Sequence, residues 1–342
     1  MDSFELGDLS VKPGTIGKGS LASVRLSAGT QVASPVVVAH GVEPGPVLLA
    51  MGATHGDEIV GTAALIATLK ALDPTTMRGT LIAITVANPL AFEHASYESP
   101  HDRLHMALPV RWPAAPQGLI TQRLAASHLP AFEKATHYLD IHGNPDPSWP
   151  IAMLLPEQAS TERVRKDQEL IADATGLTRV RMTEPADASG SLVGSIAGQP
   201  AAAASAHGVA GVMLELVSRG STTAAEMGRI AVMNTMRALG ILDDEPEPQV
   251  VPRLEGVYQY HGGVVNQHAG IFWSKHLPGS DVDAGTVIAE ITDVWGDTVE
   301  EVTVPVDGFL WGHLGTLYGN STHAIPEGSF VGFVAARPEP GA

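Results

Sequence analysis

The chain has 342 residues, of which 44% are hydrophobic and 17% are charged, and its net charge is −17. This length and composition predict a protein with a large buried core and room for two domains. The negative charge argues against a general attraction to nucleic acid or to an anionic membrane surface, so small molecules and proteins are the expected partners. The chain contains no cysteine, which excludes disulfide bonds, thiol nucleophiles and thiolate metal ligands.

The first 245 residues alternate strand-like and helix-like patterns. Short β-like runs at 22–26 and 35–39 predict a small entry sheet. Longer apolar runs, typical of buried strands, occupy residues 46–51, 79–86, 136–144 and 211–217. Patterns that indicate helices cover residues 59–72, 122–134, 157–174 and 223–239. A polar, irregular segment from 92 to 116 interrupts this alternation, and loops of that length are usually functional or disordered.

Two of these helices carry more specific signals. Apolar residues at Ile59, Ala63, Ile66 and Leu69 give the first helix its periodic pattern. The last helix is expected to start at a capping box that begins at Thr223 and ends at Glu226.

The composition changes at residues 243–248, which are acidic and proline-rich and are typical of a linker. Beyond them, short β-like runs alternate with glycine-containing turns. The sequence therefore predicts an α/β domain over residues 1–245 and a small β-barrel-like domain over residues 250–342. The N-terminus has no basic region followed by an apolar core, and no apolar run is long enough to span a bilayer, so we expect a cytoplasmic protein.

The residues between the first buried strand and its helix have the spacing of metal ligands. His55 and Glu58 lie three residues apart where the strand gives way to the helix, and glycines at positions 52 and 56 allow the backbone to bend there. Open α/β sheets place their sites at this end of the strands. A third ligand from elsewhere in the chain would complete a catalytic zinc site, which keeps a position open for water.

Two further strands supply residues for such a site. His142 ends the strand 136–144, and Asp140, two positions earlier, would point the same way and could orient a ligating imidazole. Glu215 interrupts an otherwise apolar strand, where a carboxylate is costly to bury without a polar partner. It is the candidate general base. The structural alternatives are a helix cap for His55 and Glu58, a strand-end hydrogen bond for His142 and a buried ion pair for Glu215.

The motifs together resemble the succinylglutamate desuccinylase/aspartoacylase family, within the zinc carboxypeptidase superfamily (M14-like). The resemblance covers most of the chain, and the segments that carry it are 45–46, 52–58, 78–80, 88–92, 140–142, 211–215, 304–310 and 327–329. It implies a mixed-sheet α/β domain like that of zinc carboxypeptidases, followed by a small C-terminal β domain. It also implies one zinc ion per chain on His55, Glu58 and His142, with Glu215 as the general base. A homo-oligomer is a further expectation of the resemblance.

The chain departs from the family's pattern where the substrate should bind. The position of an arginine that helps to stabilise the oxyanion falls on or near Tyr97, and the family's Asn-Arg pair is missing, since the corresponding stretch begins Arg103-Leu104-His105. Candidate substrate-binding residues are therefore Tyr97, Arg103, His105 and Asn88. The missing charge could come from Arg103, His101 or His105 at a shifted position, and Arg111 or Arg219 could bind a carboxylate.

These features predict a zinc-dependent deacylase that cleaves the amide bond of a small N-acyl amino acid or a related amide and is not an endopeptidase. One alternative is a hydrolase of an atypical amide or peptide-type substrate. The other is a non-catalytic relative that binds a metal or a ligand. The carboxylate retained at Glu215 favours an enzyme, because a protein without catalysis has little reason to keep an acid in an apolar strand.

Overall fold

The computed structural model describes residues 2–21, 23–104, 118–144, 148–183, 198–217, 220–313 and 324–338. The α-helices in these ranges are α1 (Val60–Ala71), α2 (Pro89–Phe92), α3 (Ile120–Ala126), α4 (Leu129–Lys134), α5 (Glu162–Ala174), α6 (Pro200–Ala206) and α7 (Thr222–Ala238). None of these helices combines the length and the apolar character needed to cross a membrane.

The β-strands of the described ranges follow in chain order. They are β1 (Phe4–Leu6), β2 (Leu9–Val11), β3 (Thr15–Ser20), β4 (Val24–Arg25), β5 (Gln31–Val32), β6 (Pro35–His40), β7 (Glu43–Gly52), β8 (Arg78–Ile84), β9 (His137–Asn144), β10 (Ile151–Leu154), β11 (Thr178–Arg181), β12 (Ala210–Val217), β13 (Val257–Val265), β14 (Gly270–Ser274), β15 (Asp281–Val282), β16 (Val287–Thr292), β17 (Thr298–Thr303), β18 (Gly308–His313), β19 (Ala324–Ile325) and β20 (Phe330–Ala336).

Twelve of these strands form one mixed sheet, in the order β15-β18-β20-β13-β11-β10-β12-β9-β7-β8-β6-β3. At its centre β7 runs parallel to both β8 and β9, and β9 runs parallel to β12. Strand β10 is antiparallel to β12, and β6 is antiparallel to β8. The α/β class with a mixed sheet, expected from the sequence, is therefore confirmed.

Helices cover both faces of the central strands. On one face α1, α5 and α7 contribute Leu65, Ile171 and Met227 to a core that also contains Leu139 and Ile141 of β9. The opposite face of the sheet packs against α3, α4 and α6 through a second core that includes Leu124, Phe132, Ala202 and Tyr138. Because side chains alternate along a strand, the face of β9 that carries Tyr138 also carries Asp140 and His142.

Helix α1 forms where the sequence predicts it, and its contact with the sheet decides which of its residues are buried. Its buried residues are Val60, Gly61, Ala64, Leu65 and Thr68, whereas Ile59 and Ile66 are exposed. The reason is a close approach at Gly61, where a Cβ would lie 2.5 Å from the Ile141 carbonyl oxygen. This contact turns the glycine toward the sheet and leaves Ile59 and Ile66 facing away from it, whereas Leu69 still packs against the core.

Other helix boundaries also correct the sequence predictions. The helix expected over 122–134 is two helices, because α4 begins anew at Leu129, with Pro130 in its first turn, after a break at Ser127 and His128. The helix expected to begin at residue 157 begins at Glu162, after a 3₁₀ turn and a cap from Thr161. The last helix is capped by Ser221, whose hydroxyl accepts a hydrogen bond from Ala224 N, so the expected capping box is wrong.

The acidic segment 243–248 is fastened to α7. Glu247 contacts the guanidinium groups of Arg229 and Arg237, and its backbone N–H and C=O both bond to the side chain of Asn234. Asp244 forms a further ion pair with Arg237. The Arg229 hydrogen bonds are the largest of the effects that lower the pKa of Glu247. The segment expected to be a linker therefore runs along the α/β part of the chain.

The C-terminal region is rich in β-strands, as the sequence predicts. Strand β13 pairs in parallel with β11, so the main sheet continues into this region. Strands β14, β16, β17 and β19 form a separate four-stranded sheet, whose Phe272 and Ile291 share an apolar core with Leu310 and Val334 of the main sheet. The division into domains at residues 1–245 and 250–342 stays a prediction.

The buried side chain of His128 makes the stability of the fold depend on pH. Ser34 donates its hydroxyl hydrogen to Ala87 O at 3.0 Å, so His128 Nε2 must donate to Ser34 Oγ at 2.8 Å. Burial lowers the pKa of His128 from 6.5 to about 4. Between these two values the unfolded chain binds a proton that the folded protein does not, so the free energy of unfolding falls as the pH falls through this window.

We expect the wild-type protein to lose about 2 kcal/mol of unfolding free energy through this group between pH 7 and pH 5. The variant His128→Gln keeps an N–H donor without a titrating ring and should show a correspondingly smaller loss. Urea denaturation at the two pH values measures the difference. His261 is exposed, so His261→Gln should retain the wild-type loss, and an unchanged loss in His128→Gln would contradict this account.

Candidate metal centre

The candidate ligands lie at the carboxyl ends of two neighbouring parallel strands. Strand β7 ends at Gly52 and α1 begins at Val60, and the turn between them carries His55 and Glu58. Strand β9 pairs with β7 and carries His142 near its own carboxyl end. The topology of the sheet thus brings together residues that are more than 80 positions apart in the sequence.

His55, Glu58 and His142 form one compact group. Each offers a ligand atom, and these atoms all lie within 4.8 Å of one another. All three side chains are buried. Glu58 Oε2 lies 3.0 Å from His142 Nδ1 and accepts a hydrogen bond from the backbone N–H of Gly143. Two imidazoles and one carboxylate match the ligand set of a catalytic zinc site, so the residues present fit this metal.

Two carboxylates surround the imidazole of His142. Glu58 contacts Nδ1, and Asp140 Oδ1 lies 3.2 Å from Nε2 on the other side of the ring. Burial lowers the pKa of His142, but the two carboxylates outweigh it and raise the pKa well above its ordinary value. The two carboxylates therefore attract positive charge to this position. Nδ1 faces Glu58 and Nε2 faces Asp140, an arrangement that suits an oriented metal-ligating imidazole.

Asp140 is completely buried and is itself oriented by neighbours. Thr54 donates its hydroxyl to Asp140 Oδ1 at 3.0 Å. Burial, together with the charge of Asp140, raises the pKa of Tyr138 well above its ordinary value, so this phenol stays neutral on the same face of β9. Asp140 thus links the turn after β7 to His142.

The turn that carries His55 and Glu58 is fixed by its backbone. Gly52 O and Ala53 O accept hydrogen bonds from Ala87 N and Asn88 N, both at 2.9 Å, which ties the ends of β7 and β8 together. Ala53 adopts a φ of 52°, a left-handed conformation that costs an alanine on the order of 1–2 kcal/mol. At Gly56 a Cβ would lie 2.1 Å from the Ala91 carbonyl carbon, so only glycine lets the turn pack against α2.

Glu215 lies beside the group in the register of the sheet. It pairs with His142 across the parallel strands β12 and β9, so both side chains leave the sheet on the same face. Its side chain is partly exposed, unlike the completely buried Leu214 before it and Leu216 after it. This position fits the polar environment that the sequence predicts for Glu215, and its role as the general base stays a prediction.

The candidate substrate residues differ in where they lie. The ring of Tyr97 stacks on the imidazole of His55. Asn88 is completely buried, and its Oδ1 caps α2 by accepting a hydrogen bond from Ala91 N. Arg103 is exposed, in a turn where its φ is 58°. His105 lies outside the described residues, as do Arg111 and Arg219. Substrate binding by any of these residues stays a prediction.

Sequence reasoning missed two contacts of the group. The hydrogen bond from Thr54 to Asp140 joins residues 86 positions apart, and no spacing in the sequence indicates it. The stack of Tyr97 on His55 depends on the path of an irregular segment.

The architecture is shared with several solved structures. A succinylglutamate desuccinylase/aspartoacylase from Rhodobacter sphaeroides has a TM-score of 0.76 and 19% identity, over 95% of this chain and 96% of that one. The product-bound ectoine utilization protein EutE (DoeB) from Ruegeria pomeroyi has a TM-score of 0.78 and 20% identity, over 95% and 96%. An aspartoacylase family protein from Mesorhizobium loti has a TM-score of 0.76 and 17% identity, over 99% and 100%. At these identities the similarity shows the fold.

The fold and the ligand group define an α/β protein of the zinc-carboxypeptidase-like class with a C-terminal β region. Residues 44–238 match the succinylglutamate desuccinylase/aspartoacylase catalytic domain, and the chain belongs to this family. The family comprises hydrolases of amide bonds in small molecules. A comparison with curated proteins gives no match.

The contact between Gly56 and α2 can be tested by adding one methyl group. We expect Gly56→Ala to lower the free energy of unfolding by about 1–3 kcal/mol, because the Cβ meets backbone atoms that cannot rotate away. At Gly198 a Cβ would meet no atom of the described residues within 4 Å, so Gly198→Ala should change stability by less than about 0.5 kcal/mol. Urea denaturation measures both, and equal effects of the two substitutions would refute the close-packing argument.

Proposed function

We propose that this protein is a zinc-dependent hydrolase that cleaves the amide bond of a small N-acyl amino acid or a related amide. The observation that carries the proposal is the group of His55, Glu58 and His142, with ligand atoms within 4.8 Å of one another at the carboxyl ends of β7 and β9. Membership of a family of amide hydrolases supports it.

His55, Glu58 and His142 would hold one zinc ion per chain, with Asp140 orienting His142 through Nε2. Zinc, when bound, would supply Lewis acidity that polarises the amide carbonyl and makes a water acidic near neutral pH. The buried position of the three ligands would exclude bulk water from this side of the site and strengthen each electrostatic interaction there.

Glu215 would act as the general acid and base. Its register beside His142 and its partial exposure suit a carboxylate that meets both the site and the solvent. It would take a proton from the attacking water and deliver it to the nitrogen of the leaving amine as the C–N bond breaks. The products would be a carboxylic acid and a free amine, so the released amine reports the reaction.

Metal binding is the first test. We expect one zinc ion per chain, measured by metal analysis after dialysis. We also expect the protein to gain about 2.7 kcal/mol of unfolding free energy when free zinc is 100-fold above its dissociation constant. His142→Gln should bind zinc far more weakly, whereas His261→Gln, at an exposed position, should bind it like the wild type. Equal zinc binding by His142→Gln and the wild type would show that the ligands have been assigned wrongly.

Catalysis is the second test. A panel of N-acyl amino acids and small amides is incubated with zinc-loaded protein, and amine release is measured. We expect turnover of at least one panel member, and a loss of kcat by about 10²–10⁴-fold in Glu215→Gln at unchanged zinc content. Glu245→Gln changes an exposed carboxylate and should retain full activity.

The two tests separate the parts of the proposal. Full activity in Glu215→Gln would remove this residue from the mechanism and leave the metal site standing. Zinc-loaded protein that cleaves no panel member would contradict the proposed substrate class and would favour a binding function.

A further inference from the structure

The rings of Tyr97 and His55 lie face to face. Their centroids are 3.6 Å apart and their planes differ by 11°. His55 is buried, whereas 43% of the surface of Tyr97 is exposed. The phenol ring therefore covers the imidazole on the side that would otherwise face solvent.

The segment that carries Tyr97 is anchored to α2. Ala91 O accepts hydrogen bonds from His94 N, from Ser96 N and from the hydroxyl of Ser96. The Ser96 hydroxyl also lies 2.7 Å from Glu98 O. At the far end of the segment, Ser99 is completely buried. Tyr97 is thus placed by a well-bonded turn.

The same helix also supports the other partner of the stack. The turn that carries His55 packs at Gly56 against the backbone of Ala91 and Phe92. Both rings are consequently supported by one short helix, α2. His55 precedes this helix in the sequence and Tyr97 follows it. This shared support makes the face-to-face geometry a property of the fold.

We propose that Tyr97 is a positioning residue for His55, and that its ring sets the plane of the imidazole and strengthens the binding of a divalent cation. This inference rests on the proposed role of His55 as a metal ligand. It goes beyond that role because it assigns part of the metal affinity to a side chain that does not ligate.

The physical reason lies in the electronic character of the two rings. Two electron-rich rings disfavour a direct face-to-face arrangement. An imidazole that donates its lone pair to a cation becomes electron-poor, and the negative face of a phenol ring attracts such a group. The stack also restricts rotation of the imidazole, so less conformational entropy is lost when His55 binds a metal. Both effects favour the metal-bound state over the metal-free state.

The test compares zinc affinities, measured by competition with a chromophoric chelator, among variants of the full-length protein. Tyr97→Leu removes the ring and should weaken zinc binding by about 10-fold, the lower end of the effects seen when the partners of metal ligands are removed. Tyr97→Phe keeps the ring and should stay within about two-fold of the wild type. Trp273→Leu removes another exposed aromatic ring, from the separate sheet of the C-terminal region, and should have no effect.

Two further measurements distinguish a loss of positioning at the metal from a general loss of structure. The visible absorption of the Co²⁺-loaded protein reports the geometry around the metal, and it should change in Tyr97→Leu and not in Tyr97→Phe. The metal-free proteins should melt at similar temperatures. Tyr97→Gln is a second variant without a ring, for use if Tyr97→Leu folds poorly. It should show the same loss of zinc affinity that we expect for Tyr97→Leu.

The outcomes separate this inference from the proposed function. Wild-type zinc affinity in Tyr97→Leu and Tyr97→Gln would overturn the inference and leave the metal site intact. A loss in Tyr97→Phe as large as that in Tyr97→Leu would also overturn it, because the hydroxyl and not the ring would then matter. A wild-type protein that binds no zinc would overturn the proposed function and this inference with it.

Discussion

Burial of charge at the ends of β7 and β9 is the constraint on which the rest of the site depends. Glu58, Asp140 and His142 are all buried, and each would be costly to remove from water alone. Burying them together lowers this free-energy cost, since the imidazole lies between the two carboxylates and interacts with both. An arrangement of this kind is stable only if every partner stays in place. The surrounding backbone therefore has little freedom.

Close packing of backbone against backbone provides that rigidity. Gly56 contacts the backbone of α2 and Gly61 contacts β9, at distances that no side chain would permit. Ala53 accepts a left-handed conformation because its carbonyl and that of Gly52 bond to the next strand end. Local strain at the turn is thus offset by hydrogen bonds and packing around it, as is common where a fold positions functional groups.

The sequence predicts that the candidate ligands lie together, and the structure places them within 4.8 Å of one another, because their signals are local. His55 and Glu58 share one turn, Asp140 and His142 share one strand, and the strand ends meet by the ordinary rules of parallel sheets. The sequence does not indicate which face of α1 is buried, because this depends on the contact between Gly61 and Ile141, which are distant in sequence. The start of α7 was wrong because both Ser221 and Thr223 suit a cap, and the three-dimensional context selects the former. Strands β10 and β11 have four residues each and gave too short a pattern to detect.

The candidate substrate-binding residues lie in different surroundings from the candidate metal ligands. Asn88, at a strand end in the sequence, is used by the fold to cap α2 and is completely buried. Tyr97, in an irregular segment, lies against His55 because α2 supports both turns. A short helix of four residues therefore supports both the turn that carries His55 and the segment that carries Tyr97. Asp140 and His142 are held by strand β9 instead, so the candidate ligand group depends on two sets of contacts, one through α2 and one through the sheet.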